Sequence, residues 1–249
     1  MRLSERIRCY EEVCKETFLR RTPVIVRLDG RGFREKTRGL EKPIDRRIQR
    51  SMDYAARVVC EELQICVASL QFSDEVSFFI NDVREQTAKF AYNKQHILSV
   101  IVSTFTAVFN EAMRKEFPDN NWRFTFEAKC FSIPFVDITG YACWRQSICQ
   151  SGVLRSLAAN IGGAKYSSGS YEEVKEFVSS LGIDFDSWSI GDQFGHWCLR
   201  EGDSIAQPKD FCVIFNREAC DHLRSLFKNT IYWDLEISEN DKEQQISTS

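Results

Sequence analysis

Ile65-Cys66-Val67-Ala68-Ser69-Leu70-Gln71-Phe72, Ser73-Asp74-Glu75, Val76-Ser77-Phe78-Phe79-Ile80-Asn81: two apolar runs stand on either side of a short polar break. Apolar and aromatic residues bounded by turn chemistry predict two strands, 65–72 and 76–81, joined as a hairpin. Upstream, Pro23 introduces another apolar strand over 24–29, and the glycines of Asp29-Gly30-Arg31-Gly32-Phe33 end it. Between strand and hairpin, Ile44, Ile48, Met52, Ala55, Val59 and Leu63 recur at helical spacing, which predicts a helix beginning after Pro43. Downstream, a helix over 93–116 turns Ile97, Ile101, Phe105, Val108 and Met113 inward, and a strand over 122–133 closes the series. An amphipathic helix over 4–19 precedes it all. The order β-α-β-β-α-β predicts an α+β, ferredoxin-like domain. Its antiparallel sheet carries two helices on one face, with the first strand beside the hairpin at the centre.

That placement brings two separated acidic sites together. Asp29 ends the first strand and Asp74-Glu75 sits in the hairpin turn. Magnesium favours one or two carboxylates plus phosphate oxygens and water. Asp29, the Gly30 carbonyl and Asp74 supply that donor set, enough for two Mg²⁺ ions working on a nucleotide phosphate. Gly30-Arg31-Gly32 lets backbone N–H groups approach a triphosphate, and Lys42 with the local arginines neutralises it. Taken singly, Asp-Gly and Ser-Asp-Glu are ordinary turns; their meeting on this topology favours a metal site.

From about 137 the pattern becomes mainly helical. Asp137 to Asn160 reads as a helix, and Ser170-Tyr171-Glu172-Glu173 is a capping box opening a short one that stops at Gly182. Phe194 to Arg200 and Phe211 to Asn216 read as short strands. The expected division is 1–136 with the N-terminal helix, a helical extension over 137–235 with short strands, and an acidic tail over 236–249 expected to be disordered.

Across 249 residues the net charge is −3, which argues against a generic nucleic-acid binder. The average hides a basic segment: residues 20–50 hold eleven Lys/Arg against four acids. Ten cysteines and three histidines form no CxxC and no metal-ligand cluster, so reduced buried thiols are expected rather than zinc. The first residues turn charged at once and lack a signal-peptide core, and no apolar run approaches the roughly 20 residues of a membrane span. A cytoplasmic protein with no membrane partner is expected.

Five blocks carry a resemblance. Arg27-Leu28-Asp29-Gly30-Arg31-Gly32-Phe33, Glu41-Lys42-Pro43-Ile44-Asp45-Arg46-Arg47, Gln71-Phe72-Ser73-Asp74-Glu75-Val76-Ser77-Phe78, Ile97-Leu98-Ser99-Val100-Ile101-Val102-Ser103 and Trp144-Arg145-Gln146 resemble, in order, the tRNA-His guanylyltransferase superfamily, which includes guanylyltransferase-like 3′–5′ polymerases. The resemblance implies a polymerase palm with two Mg²⁺ ions, ATP and GTP as substrates, and an RNA partner, tRNA or similar, with an accessible 5′ end. Family members activate a 5′-monophosphate with ATP or GTP, and the 3′-OH of an incoming NTP then displaces the activating group. Dimers or tetramers are implied too. By position, Asp29, Gly30 and Asp74 are the metal ligands, and Asp29, Asp74, Glu75, Lys42 and Asp45 the catalytic set. Asp29, Gly30, Arg31, Gly32, Phe33, Arg34, Ser73, Asp74 and His96 form the nucleotide-binding set. Arg46, Arg47 and Arg145 are expected to contact RNA.

The sequence departs from the family at four places. Arg34 replaces a histidine, His96 the lysine of the activation step, and Phe126-Glu127-Ala128-Lys129 an Asp/Arg version of that block. Ser147-Ile148-Cys149-Gln150-Ser151-Gly152-Val153 replaces the His-Ile-Asn-Asn-Leu-Tyr-Asn motif of true guanylyltransferases. The expectation is a template-dependent 3′–5′ repair polymerase that favours a pre-activated triphosphate end. The alternatives are a nucleotidyl cyclase-like NTP-converting enzyme and a catalytically weakened RNA- or NTP-binding relative.

Overall fold

A computed structural model describes residues 2–13, 15–19, 22–81, 90, 92–214 and 216–228. In chain order the elements are α1 (Leu3–Val13), β1 (Val24–Gly30), α2 (Phe33–Lys36), α3 (Arg46–Glu62), β2 (Cys66–Phe72), β3 (Glu75–Ile80), α4 (Lys94–Glu116) and β4 (Phe126–Ser132). Then follow α5 (Ile138–Gly162), α6 (Tyr171–Ser180), α7 (Ile190–Phe194), β5 (His196–Glu201), β6 (Ser204–Ala206) and α8 (Arg217–Lys228).

The β-α-β-β-α-β order holds, and β1 lies beside the hairpin as expected. β1 pairs antiparallel with β3, Val24 opposite Ile80 and Asp29 opposite Glu75, and with β4 on its other side. Strand alternation then divides the side chains. Val24, Val26, Leu28, Val76, Phe78 and Ile80 enter a core under α3 and α4 with Met52, Val59, Ile101 and Phe105. By length and composition α4 passes for a membrane span, yet its stripe Ile97, Ile101, Phe105, Phe109 and Met113 is buried in this core.

Two expectations need correction: the sheet extends beyond the four strands of the β-α-β-β-α-β order, and one of the two later segments read as strands is not one. The sheet has six strands, in the order β4-β1-β3-β2-β5-β6. β5 pairs with the outer edge of β2 (Ser69 opposite Cys198, Gln71 opposite His196), so the later half of the chain extends the sheet of the earlier half. The second face of the sheet is also covered: Ile25, Phe79, Leu70 and Trp197 form a core with Ile138, Tyr141, Leu223 and Phe227 of α5 and α8. Phe211 to Asn216 is no strand at its described residues. The Val213 N–H donates to the Gln146 side chain at 2.9 Å, so a buried amide takes the place of a ladder partner. The capping box forms as read, with Glu173 N–H to Ser170 Oγ at 3.2 Å and Ser170 N–H to Glu173 Oε2 at 2.7 Å. Residues 229–249, and with them the acidic tail, lie outside the described residues.

Candidate active site

Odd-numbered positions at the end of β1 and the start of β3 face α5, so Asp29 and Glu75 share one side of the sheet. The hairpin turn adds Asp74. The Gly30 N–H donates to the Asp74 carbonyl at 3.0 Å, which pins the end of β1 to the turn. A side chain at Gly30 would collide with the Phe33 ring and stand 3.0 Å from the Asp74 Cβ, so this close approach requires glycine. Ser73 is held at φ 52°, an uncommon conformation for a residue with a Cβ, and its Oγ lies 3.1 Å from Asp74 Oδ1. Burial pushes the Asp74 carboxyl up from its ordinary range and the Asp29 charge pushes it further, while Lys42 pulls it back. Two like charges thus face each other, and neither makes an ion pair among the described residues.

Glu75 is buried and ion-paired to Arg145 of α5. The Arg145 guanidinium lies 4.6 Å from the Trp144 ring centroid and 5.4 Å from that of Phe72. Burial raises the Glu75 pKa, opposed by Arg145 and Arg27. Among the described residues its Oε1 has no hydrogen-bond partner, nor have Gln71 Oε1 and Arg145 Nε. Unsatisfied buried oxygens beside two acidic residues invite a cation or a ligand donor.

A cleft of about 340 Å³ opens at this end of the sheet, between the start of α3 and the middle of α5. Asp29, Asp74 and Glu75 form its floor; Ile44, Ile48, Phe72 and Val153 are its apolar walls. Beside it, Arg34, Arg38 and Lys42 line a basic basin with Glu35. Phe33 anchors the glycine loop between them through contacts with Phe109 and Phe124, their ring centroids 5.7 and 4.7 Å away. Asp45 lines the cleft and also caps α3, accepting from the Arg47 N–H at 3.0 Å. Burial would raise its pKa, but the Arg47 and Glu41 hydrogen bonds prevail and lower it.

The structure does not bring every expected residue here. His96 lies in the first turn of α4, whose entry is tied to the other end of the sheet: Phe18 N–H bonds the Tyr92 carbonyl at 3.0 Å, and Lys94 is paired to Glu16 at 2.7 Å. Phe109 of the same helix is what reaches Phe33, about 20 Å farther along at 1.5 Å per residue. The three arginines expected on RNA have internal acidic partners: Arg46 with Asp192, Arg47 with Asp45, Arg145 with Glu75. Arg31 leans toward Glu127 at 3.8 Å. Trp144 is 51% exposed. The period of α5 buries Tyr141, Ala142, Arg145 and Cys149, which turns residue 144 outward.

Sequence reading missed the inner wall. Arg46, Gln49 and Asp53 share one face of α3 and meet Asp192 of α7 and His196 of β5. Arg46 grips Asp192 with both terminal nitrogens, one contact at 2.8 Å, and His196 Nδ1 stands 3.4 Å from Asp53 Oδ2. Burial, helped by Asp192, pushes Asp53 up to about 7, and burial lowers the His196 pKa. Residues 143 apart in sequence carry no local sign of this; only the β2–β5 pairing creates it.

A family model described as tRNAHis guanylyltransferase matches residues 4–134. The tRNA(His) guanylyltransferase of Neurospora crassa is 33% identical over 141 residues, 54% of this chain and 47% of that protein. That of Schizosaccharomyces pombe is 26% identical over 207 residues, covering 73% of this chain and 74% of that one. The matched region thus spans about half the length of the Neurospora relative. Among solved structures, a bacterial tRNA(His) guanylyltransferase-like protein in complex with ATP superposes with a TM-score of 0.83 at 23% identity, over 91% of this chain and 100% of its own. At that identity the likeness establishes the fold.

Proposed function

Because this chain belongs to the tRNAHis guanylyltransferase family, we propose that it is a magnesium-dependent nucleotidyltransferase that extends the 5′ end of a tRNA or tRNA-like RNA in the 3′–5′ direction. The observation that carries it is the convergence of Asp29, Asp74 and the unpartnered Glu75 Oε1 on a cleft flanked by a basic basin. Two carboxylates without an ion pair among the described residues, one with its pKa raised by burial and by the other's charge, are the donor set a hard divalent cation prefers. Such ions, when bound, supply Lewis-acid stabilisation of phosphate oxygens. The chain's own residues do the rest. Lys42, Arg34 and Arg38 neutralise a triphosphate, Gly30 allows its close approach, and the cleft walls take the base. Asp45 holds the start of α3 against that cleft.

Template-dependent repair is the form of the reaction we favour. Where the true enzymes carry a polar motif, α5 turns Ile148, Cys149, Gly152 and Val153 toward the cleft. With Lys94 paired to Glu16 and His96 at the far end of the sheet, we also infer a preference for a triphosphate 5′ end. A dimer or tetramer fits the exposed stripe Leu3, Ile7, Tyr10 of α1, and the free described cysteines suit the cytoplasm.

The test is incubation with labelled NTPs, Mg²⁺ and a 5′-truncated tRNA bearing either a monophosphate or a triphosphate end. The RNA should lengthen, faster from the triphosphate, and Asp29→Ala or Asp74→Ala should abolish extension while the protein stays folded. A cyclic nucleotide formed without RNA, or near wild-type extension by either variant, sinks the proposal.

A further inference from the structure

We propose that Gln49 reads the nucleobase and that the Asp192–Arg46 pair fixes the order in which its amide presents donor and acceptor. The inference rests on the cleft being a nucleotide site and goes beyond it to specificity for the activating ATP or GTP, whose base pairs with no template. Gln49 lines the inner wall of the cleft, and Ile48 and Phe72 beside it offer apolar surface to a base.

A glutamine amide left to itself can turn over and exchange its oxygen and nitrogen, and so serve opposite hydrogen-bond patterns. This one cannot. Arg46 Nη1 donates to Gln49 Oε1 at 2.7 Å, and a guanidinium has only donors, so the oxygen must face it. Arg46 is itself held by both carboxylate oxygens of Asp192. At the other end the amide nitrogen donates to His196 Nε2. That nitrogen must accept, which places the ring proton on Nδ1, toward Asp53 Oδ2 at 3.4 Å. A chain of five side chains thus runs from Asp192 to Asp53 with every polarity assigned.

After these bonds Gln49 keeps one N–H and one oxygen lone pair for a ligand. Along their pairing edges adenine and cytosine present an amino donor beside a ring acceptor; guanine and uracil present a carbonyl beside a ring N–H. An amide locked in one order satisfies one of these patterns and opposes donor to donor in the other. Mismatched polar groups in such a site typically cost about tenfold or more in binding. Locking converts an indifferent side chain into a selective one.

The experiment is equilibrium binding of ATP, GTP and inorganic tripolyphosphate, in magnesium, to the full chain and to Gln49→Leu and Arg46→Met. Wild type should separate ATP from GTP by about tenfold or more. Gln49→Leu, which removes the amide, and Arg46→Met, which frees it to turn, should each bring the ratio within about twofold. Tripolyphosphate affinity should stay as in wild type, which shows that the variants are folded and the phosphate site intact. Wild type binding ATP and GTP equally, or Gln49→Leu keeping the wild-type ratio, overturns the inference and leaves the nucleotide site standing. Wild type binding neither nucleotide removes both.

Discussion

Removing the Arg145 guanidinium tests the site's electrostatics more directly than removing any acidic residue. Arg145 and Glu75 are 6% and 8% exposed, so their charges balance each other away from water. Arg145→Met keeps the aliphatic stem against Phe72 and Trp144 and deletes the charge alone. The Glu75 carboxylate is then left buried, with the Asp29 charge nearby and Arg27 its remaining cationic neighbour. Stranding one partner of a buried pair costs about 3–5 kcal/mol, a large share of the roughly 5–15 kcal/mol that holds a domain folded. The stacking on Trp144 adds about 0.5–1 kcal/mol at an open site. The Glu75 pKa is already raised in the folded protein, and without Arg145 it rises further. A carboxylate with a higher pKa folded than unfolded binds its proton more tightly in the native state. Acidification toward its unfolded value of about 4.3 therefore returns stability to the variant, and the deficit is fully present above the folded pKa. Urea unfolding followed at pH 8 and pH 5 measures both. Arg145→Met should lose about 3–5 kcal/mol at pH 8 and less at pH 5, and Glu75→Gln/Arg145→Met should recover most of the loss. A single variant within about 1 kcal/mol of wild type at pH 8, or a double variant no better than the single, refutes the pairing as the source of stability.

Two further perturbations probe the floor and the inner wall. Gly30→Ala places a Cβ against the Phe33 ring and the Asp74 Cβ, and should cost about 1–3 kcal/mol in urea unfolding with a loss of nucleotide affinity; unchanged affinity would separate the glycine from the site. Asp53, pushed up to about 7, binds its proton more tightly folded than unfolded, so its charge weakens the fold as pH rises from about 4 through 7. Allowing for its 22% side-chain exposure, Asp53→Asn should be more stable than wild type by about 1–2 kcal/mol at pH 8, with the advantage shrinking toward pH 4; a constant difference across that range counts against the assignment.

What could be read from the residues was whatever is encoded locally. The apolar period of 44–63 and 93–116 and the break at Ser73-Asp74-Glu75 sufficed for the first four strands of the six-stranded sheet and for the meeting of Asp29 with Asp74. Pairings at long range left no such trace. β5 is recognisable as apolar, but that it docks on β2 depends on the whole chain's path, and the Arg46–Gln49–His196 wall follows from that docking. Phe211 to Asn216 carries strand composition and is held instead by Gln146. The arginines show a related limit: their number predicts a basic surface, but not that Asp192, Asp45 and Glu75 pair with three of them, nor that Arg145 is buried while Arg46 stays exposed.

The cleft draws on two stretches of chain. The acidic floor and the basic basin lie within residues 4–134, the part that matches the family, whereas Arg145, Ile148, Val153, Asp192 and His196 lie beyond it. Two ion pairs couple these stretches, Arg145 to Glu75 and Asp192 to Arg46. A change in the later stretch that spares these pairs, at Ile148 or Val153, alters the shape of the cleft without stranding a charge on its floor.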